Sequence, residues 1–206
     1  MPNQPLVSID TVPFIVHDDV LHVVLGIRGW DPCAGQAALP GVLLNANERI
    51  DEAVDRALQS KIGATRGHPT LDAGVFDDFE RDERGPTLSI ARAVILDLLP
   101  VDERVRIAEV TDLPELPFDH NAIITHTAGV VLDALWVNAS ITRALLGEEF
   151  STADVIARTK ELAATAGREP DVANIGRKLA GDKRLAKKES APVGRGRPPA
   201  RWVWAF

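Results

Sequence analysis

The chain has 206 residues, of which 45% are hydrophobic and 26% are charged, and these proportions are typical of a globular protein. No apolar run approaches the roughly 20 residues that span a bilayer, and the N-terminus has neither a basic start nor a long apolar segment. We therefore expect a cytoplasmic protein without a secretory signal or a membrane partner. The single cysteine, Cys33, excludes an intrachain disulfide, and the five scattered histidines show no zinc-type spacing.

The net charge of −7 is distributed unevenly along the chain. Residues 1–166 hold 13 Lys and Arg against 26 Asp and Glu, whereas residues 167–206 hold 10 against 4. A basic C-terminal segment on an acidic body is typical of a local polyanion-binding region. A solvated charged terminus would have the same composition, so the fold pattern of this segment has to decide between the two.

The first part of the chain predicts strands around a helix. Residues 11–27 are rich in Val and Ile and nearly alternate in polarity on both sides of a turn at Asp18, which favours two strands. Residues 47–63 have apolar side chains at every fourth position, which predicts an amphipathic helix. Gly63 is the expected end of this helix.

Two further strands are predicted over residues 75–85 and 87–100, with a charged turn at residues 82–85. These elements make residues 1–118 a mixed α+β domain. Residues 119–137 broadly keep a helical period and predict a helix that links this domain to the remainder of the chain.

Beyond this helix the pattern changes to three short helices, which we place at residues 141–146, 151–166 and 171–181. Ser151 or Thr152 is the expected N-cap of the second helix, and Asp171 is the expected N-cap of the third. Gly181 ends the third helix. Because only the short turn at residues 167–170 separates the last two helices, they predict a helix-turn-helix.

The third helix places an amide and two cations opposite its apolar face. Arg and Asn side chains read guanine and adenine, and Lys commonly binds phosphate, although a solvated helix face is the alternative. Strands over residues 184–188 and 200–206, joined by a turn with two arginines, predict a wing. On the last strand, Trp202, Trp204 and Phe206 share one face, where core packing is favoured over base stacking. The candidate DNA-binding residues are Asn174, Arg177, Lys178, Lys183, Arg195 and Arg197.

Residues 39–63, LPGVLLNANERIDEAVDRALQSKIG, resemble the Nudix box, whose pattern is G-x5-E-x7-R-E-x-x-E-E-x-G. Glu48, Arg56 and Gly63 stand in register, and Val42 replaces the first glycine. The three catalytic glutamates, which hold Mg²⁺ in active members, are replaced by Ala57, Ser60 and Lys61. The resemblance therefore implies a domain with no catalytic residues, no metal site and no required cofactor.

The order of motifs along nearly the whole chain resembles the Nudix-related transcriptional regulators of NAD metabolism. The motifs are the degenerate box, LPELPFDH, LLGEEFSTADV, DVANIGRKL and GRGRPPARWVWAF. The resemblance implies an α+β protein with an N-terminal Nudix-like α/β/α sandwich with a mixed sheet and a C-terminal winged helix-turn-helix. We place these domains at residues 1–118 and 138–206, on either side of the helix at 119–137. It also implies a cytoplasmic, nucleoid-associated homodimer that binds a palindromic double-stranded DNA operator, with ADP-ribose or a related nucleotide as effector.

The candidate effector-binding residues surround the box. Arg28 is a candidate anion contact or a surface arginine, and Trp30 either stacks on a base or sugar or packs against the protein. Glu48 and Arg56 are expected to orient the loop as a pair. Lys61, at a former metal-ligand position, is a candidate fixed positive charge for phosphate. The complete set without Lys61 is Arg28, Trp30, Gly41, Glu48 and Arg56.

Three functions remain open at this stage. The first is a ligand-gated repressor of NAD biosynthesis or salvage genes. The second is a Nudix hydrolase of ADP-ribose-type substrates that is fused to a DNA-binding domain. The third is the same regulator architecture acting on other genes, such as those of sugar metabolism, with another nucleotide or phosphosugar as effector.

Overall fold

The structure is a computed structural model that describes residues 4–65, 67–188 and 200–205. Its larger sheet has seven strands: β1 (Leu6–His17), β2 (Val20–Ile27), β3 (Ala37–Ala38), β4 (Gly41–Leu43), β5 (Thr70–Phe76), β6 (Thr87–Ile95) and β7 (Val105–Glu109). The order is β3-β2-β1-β6-β5, with β4 paired to β1 and β7 paired to β2. Only β1 and β6 run parallel among these pairs, so the sheet is mixed as predicted.

Two helices cover the faces of this sheet, α1 (Ile50–Ile62) and α2 (His120–Ala134). Because successive side chains of a strand point to opposite faces, Val12 and Phe14 pack with α2, whereas Ile9 and Ile15 pack with α1. The result is the predicted α/β/α sandwich. Helix α1 ends where expected, since Gly63 adopts a left-handed conformation with φ of 68°.

The prediction for the strand before β6 was wrong at both ends. The strand β5 begins at Thr70 and ends at Phe76, and residues 77–86 form a loop instead of extending the sheet. The charged side chains of this loop explain the difference, because Arg81 is buried in ion pairs with Asp10 and Asp119, and Asp82 is buried in an ion pair with Arg84. Strand β7 was not predicted from the sequence.

The remaining elements are α3 (Ala139–Leu146), β8 (Glu149–Ser151), α4 (Thr152–Thr165), α5 (Ile175–Gly181), β9 (Leu185–Lys188) and β10 (Arg201–Trp204). The three strands form an antiparallel sheet in the order β8-β10-β9 beside the helices, which is the arrangement of a winged helix-turn-helix. Ser151 caps α4 as predicted, and its hydroxyl accepts from the Asp154 amide at 3.2 Å. Strand β8 was not predicted.

Helix α5 is shorter than the sequence predicted, and Asp171 is not its N-cap. Asn174 is in the left-handed region with φ of 59°, so the helix begins only at Ile175. The Asp171 carboxylate instead accepts from Lys178 Nζ at 2.9 Å. The connection from α4 to α5 therefore covers residues 166–174 and is longer than the predicted turn.

The C-terminal elements pack directly on the sandwich. Ile141 of α3 and Leu162 of α4 belong to the same hydrophobic cluster as the α2 face of the sheet. Thr165 Oγ1 also donates to the Val110 carbonyl at 3.0 Å. The domain boundaries near residues 118 and 138 stay a prediction, since this one cluster includes side chains from both sides of them.

Within the described part of the chain, no single helix is long and apolar enough to cross a membrane. Helices α2 and α3 reach the required length and composition only as a pair, and the pair is bent by 107°.

Candidate functional site

A cleft of about 350 Å³ opens beside α1 at one end of the large sheet. Its walls are formed by strands β1 and β4, helix α1, the segments on either side of β3, the loop at residues 77–86 and residues 118–120. Of the predicted effector-binding residues, Arg28, Trp30, Gly41 and Arg56 line the cleft. Their contribution to ligand binding stays a prediction.

Glu48 does not line the cleft but holds Arg56, which does. Arg56 donates to both Glu48 carboxylate oxygens at 2.7 Å and to the Leu43 carbonyl at 2.8 Å. The backbone amide of Asn45 adds a hydrogen bond to Glu48 at 2.9 Å. These bonds, first of all those from Arg56, lower the pKa of Glu48 to about 2. The pair therefore fixes the loop between β4 and α1, as expected from its place in the box.

The three replaced positions of the box lie in different surroundings. Ala57 is fully buried in the protein core, and the Ser60 hydroxyl donates to the Arg56 carbonyl at 2.6 Å. Lys61 Nζ lies 3.9 Å from the centre of the Trp30 ring. Over the described residues there is no group of three or more His, Cys, Asp or Glu side chains arranged for a metal ion. With Glu48 paired to Arg56, the residues of the cleft do not fit Mg²⁺.

A buried network that the sequence did not reveal forms the opposite wall. Arg81, whose side chain is 4% exposed, donates to the two carboxylate oxygens of Asp119 at 2.9 and 2.5 Å and to Asp10 at 3.3 Å. Asp10 also accepts from the hydroxyls of Ser8 and Ser89 at 3.1 and 2.5 Å. Every carboxylate in this network has a cationic or hydroxyl donor, which is what makes its burial tolerable.

His120 and Phe118 complete this wall. The Leu39 amide donates to His120 Nδ1 at 3.2 Å, so that nitrogen carries no proton, and burial is the main cause that lowers the pKa of His120. The Phe118 ring centre lies 4.9 Å from the guanidinium carbon of Arg28 and 5.9 Å from that of Arg84. The LPELPFDH motif contains these residues, but nothing in the sequence pattern alone places them at the cleft.

The helix α5 surface has the composition expected of a nucleic-acid interface. Asn174, Arg177 and Lys178 are exposed and border a shallow depression, while Ile175 and Leu179 are buried on the other side of the helix. Lys183 is exposed in the turn after α5. Arg195 and Arg197, together with Phe206, lie outside the described residues. Arg177 and Lys178 are thus exposed on α5 as predicted, whereas Asn174 precedes the helix instead of lying on it. The contact of these residues with DNA stays a prediction.

The two tryptophans of β10 pack against the hydrophobic core of the C-terminal elements. Trp202 is 5% exposed, and its Nε1 donates to Thr152 Oγ1 at 3.1 Å. Trp204 packs its ring against Phe150, and its Nε1 donates to the Gly147 carbonyl at 2.9 Å. These contacts agree with core packing, the interpretation that the sequence favoured.

No family model matches the chain. The sequence is 34% identical to the ADP-ribose pyrophosphatase of Methanocaldococcus jannaschii in an alignment of 128 positions that covers 59% of this chain and 72% of that protein. The fold resembles Shewanella oneidensis NrtR complexed with a 27mer DNA, with a TM-score of 0.72, 20% identity and coverage of 96% of this chain and 93% of the other. The NUDIX domain of Shewanella oneidensis NrtR complexed with ADP ribose matches with a TM-score of 0.55 and 23% identity, covering 63% of this chain and 90% of that domain.

Proposed function

The chain belongs to the Nudix family, and from that premise we propose that it is a DNA-binding transcriptional repressor of NAD biosynthesis or salvage genes. An NAD-derived nucleotide such as ADP-ribose binds in the cleft and releases the protein from its operator. One observation carries the proposal: a Nudix cleft whose described residues offer no metal-ligand cluster is joined in one fold to a winged helix with an exposed basic helix. The match over nearly the whole chain to a protein complexed with DNA supports it.

The mechanism is a shift between two arrangements of the winged helices. A homodimer presents two α5 helices to a palindromic operator, since helix-turn-helix dimers bind two half-sites at a fixed spacing. Nucleotide binding favours a second arrangement that does not fit this spacing. By linkage, the nucleotide and the operator weaken each other's binding by the same factor.

A mobility-shift titration tests operator and effector together. The DNA fragments are the upstream region of the gene for this protein and promoters of NAD biosynthesis and salvage genes, each with and without ADP-ribose. We expect specific binding that ADP-ribose weakens. Tight ADP-ribose binding without any change in operator affinity would refute the effector role. The same titration with sugar-metabolism promoters and phosphosugars tests the third function considered for this architecture. Binding only to those promoters, with release by a phosphosugar, would favour it.

The second candidate function is hydrolysis, which the 34% identity to an ADP-ribose pyrophosphatase favours. Hydrolysis in active Nudix members uses Mg²⁺ held by glutamates at the positions where this chain has Ala57, Ser60 and Lys61. We therefore expect no release of AMP from ADP-ribose in Mg²⁺ beyond the rate without protein. Mg²⁺-dependent AMP release by the purified chain would establish the hydrolase instead.

A further inference from the structure

Among the described residues that line the cleft, five side chains are cationic, and three of these are paired with carboxylates. Arg56 pairs with Glu48, and the two arginines of the 77–86 loop pair with neighbouring carboxylates as well. Arg28 and Lys61 form no salt bridge with any carboxylate of the described residues. The cleft therefore keeps two cations whose charge is not neutralised by a contacting acid.

Neutral groups hold both cations in place. Arg28 Nε donates to the Pro32 carbonyl at 2.9 Å, and its guanidinium lies against the Phe118 ring. Lys61 Nζ lies over the Trp30 ring. One terminal nitrogen of Arg28 is buried and has no hydrogen-bond partner among the described residues. A buried donor on a cation is costly to leave unpaired, and an anionic oxygen in the cleft would satisfy it.

The two cations also repel. Burial is the first cause that lowers the pKa of Lys61, and Arg28 is the second. The pKa of Arg28 is likewise lowered by burial and then by Arg84. An anion with two charged groups would relieve this repulsion at both positions, which a single neutral ligand would not.

We propose that Arg28 and Lys61 form a metal-independent subsite for the diphosphate of a nucleotide, in which the Lys61 ammonium replaces the cation that active Nudix members hold with glutamates. This inference rests on the proposed function, because it concerns the same cleft and effector. A metal-independent subsite explains why Glu48, Arg56 and Gly63 keep the Nudix-box register beside a cleft that does not fit Mg²⁺.

Calorimetric titration of the full chain tests the subsite with two probes, ADP-ribose and inorganic pyrophosphate, each in EDTA and in Mg²⁺. We expect both to bind in EDTA, with no gain in affinity from Mg²⁺. Lys61→Gln and Arg28→Gln should each weaken the binding of ADP-ribose by about tenfold or more, since a hydrogen bond to a charged group is lost. Lys61→Arg should retain most of the affinity. Lys160→Gln removes the same charge from an exposed site on α4 and should change neither affinity.

The pH dependence of ADP-ribose affinity provides a second measurement, which can be made on the wild-type chain. A bound anion favours the charged form of Lys61. The affinity for ADP-ribose is therefore complete below the lowered pKa that Lys61 has in the free protein, and it is lost as the pH rises through that pKa. In Lys61→Arg this loss should move to higher pH, because arginine stays protonated.

The outcomes separate the subsite from the proposed function. If ADP-ribose releases the operator but its binding needs Mg²⁺ or ignores both substitutions at Arg28 and Lys61, the subsite is wrong and the regulator stands. If pyrophosphate binding in EDTA requires both residues while ADP-ribose leaves the operator bound, the subsite stands and the effector is wrong. Binding of neither probe by the wild-type chain overturns the subsite.

Discussion

At the scale of single residues, the cleft depends on the close approach of Gly41 to Asp10. These residues are paired across β4 and β1, and a Cβ at Gly41 would overlap the Asp10 carboxylate. The carboxylate has little freedom to move, because Ser8, Ser89 and Arg81 all donate to it. The glycine at the start of β4 is thus required by this close contact and not by a left-handed backbone.

Gly41→Ala should therefore reduce the free energy of unfolding by about 1–3 kcal/mol, the usual cost of forcing an extra group into a packed site. Urea unfolding measures it. Gly29→Ala is the matched control, since a Cβ at Gly29 meets nothing within 4 Å and we expect almost no change. Equal stability of the two variants would show that Asp10 can leave its network at no cost.

Glu48 gives a pH-dependent prediction at the same scale. Its pKa is lowered from 4.5 to about 2 in the folded protein, so its contribution to stability is present above pH 4.5 and is lost as the pH falls toward 2. Urea unfolding of the wild type and of Glu48→Gln should differ more at pH 6 than at pH 3. A difference that grows on acidification would contradict the Arg56 pairing.

At the scale of elements, α5 is the part of the winged helix that we propose contacts DNA. The left-handed Asn174 starts the helix at Ile175, and the following residues present Arg177 to solvent while Leu179 fills the core. Lys178 Nζ donates to the Asp171 carboxylate at 2.9 Å. Because this ion pair occupies Lys178, Arg177 is the stronger candidate for a base contact. The sequence did not predict this difference between Arg177 and Lys178, because it depends on the ion pair of Lys178 with Asp171.

Arg177→Ala should weaken operator binding by about 1–3 kcal/mol and relax sequence preference at one position, if Arg177 contacts a base edge. Fluorescence anisotropy with operator and scrambled DNA measures both effects. Arg106→Ala removes an exposed arginine from β7 of the sandwich and should leave operator affinity unchanged. An equal loss on both DNAs would instead assign Arg177 to a phosphate contact.

At the scale of the whole molecule, α4 joins the winged helix to the sheet that carries the cleft. Buried Arg158 donates to the Asp19 carbonyl in the turn between β1 and β2, and it pairs with Glu161 at 2.7 Å. Glu161 in turn accepts from the Leu21 amide at 3.3 Å. Strand β1 runs from this turn to Asp10, which lines the cleft, so α4 contacts the turn at one end of a strand that forms a wall of the cleft.

Arg158→Met should lower the free energy of unfolding by about 3 kcal/mol, because it leaves the Glu161 carboxylate without its partner. It should also reduce the factor by which ADP-ribose weakens operator binding. Chemical denaturation and anisotropy with effector measure the two effects. Arg168→Met, which breaks the exposed pair between Arg168 and Asp133, should cost less than about 1 kcal/mol. Unchanged coupling in Arg158→Met would exclude this contact from the signal.

The sequence alone determined the features that local physics controls. Helix α1 and its end at Gly63, the β1–β2 pair and the Ser151 cap of α4 all follow from periodicity and from the backbone preferences of single residues. The resemblance to the Nudix box implied that Arg56 pairs with Glu48, and the structure shows this pair.

Only the tertiary structure decided the elements that depend on distant partners. The loop at residues 77–86 leaves the sheet because Arg81 finds Asp119 and Asp10, which are far away in the chain. The two cations of the cleft are a second example, since their lack of a salt bridge depends on the positions of all the carboxylates in the described fold. Helix α5 differs, because its late start is local: Asn174 is left-handed, and Asp171 pairs with Lys178, seven residues further along the chain, instead of capping the helix. Electrostatic pairing acts through space, and a linear pattern contains no measure of that distance.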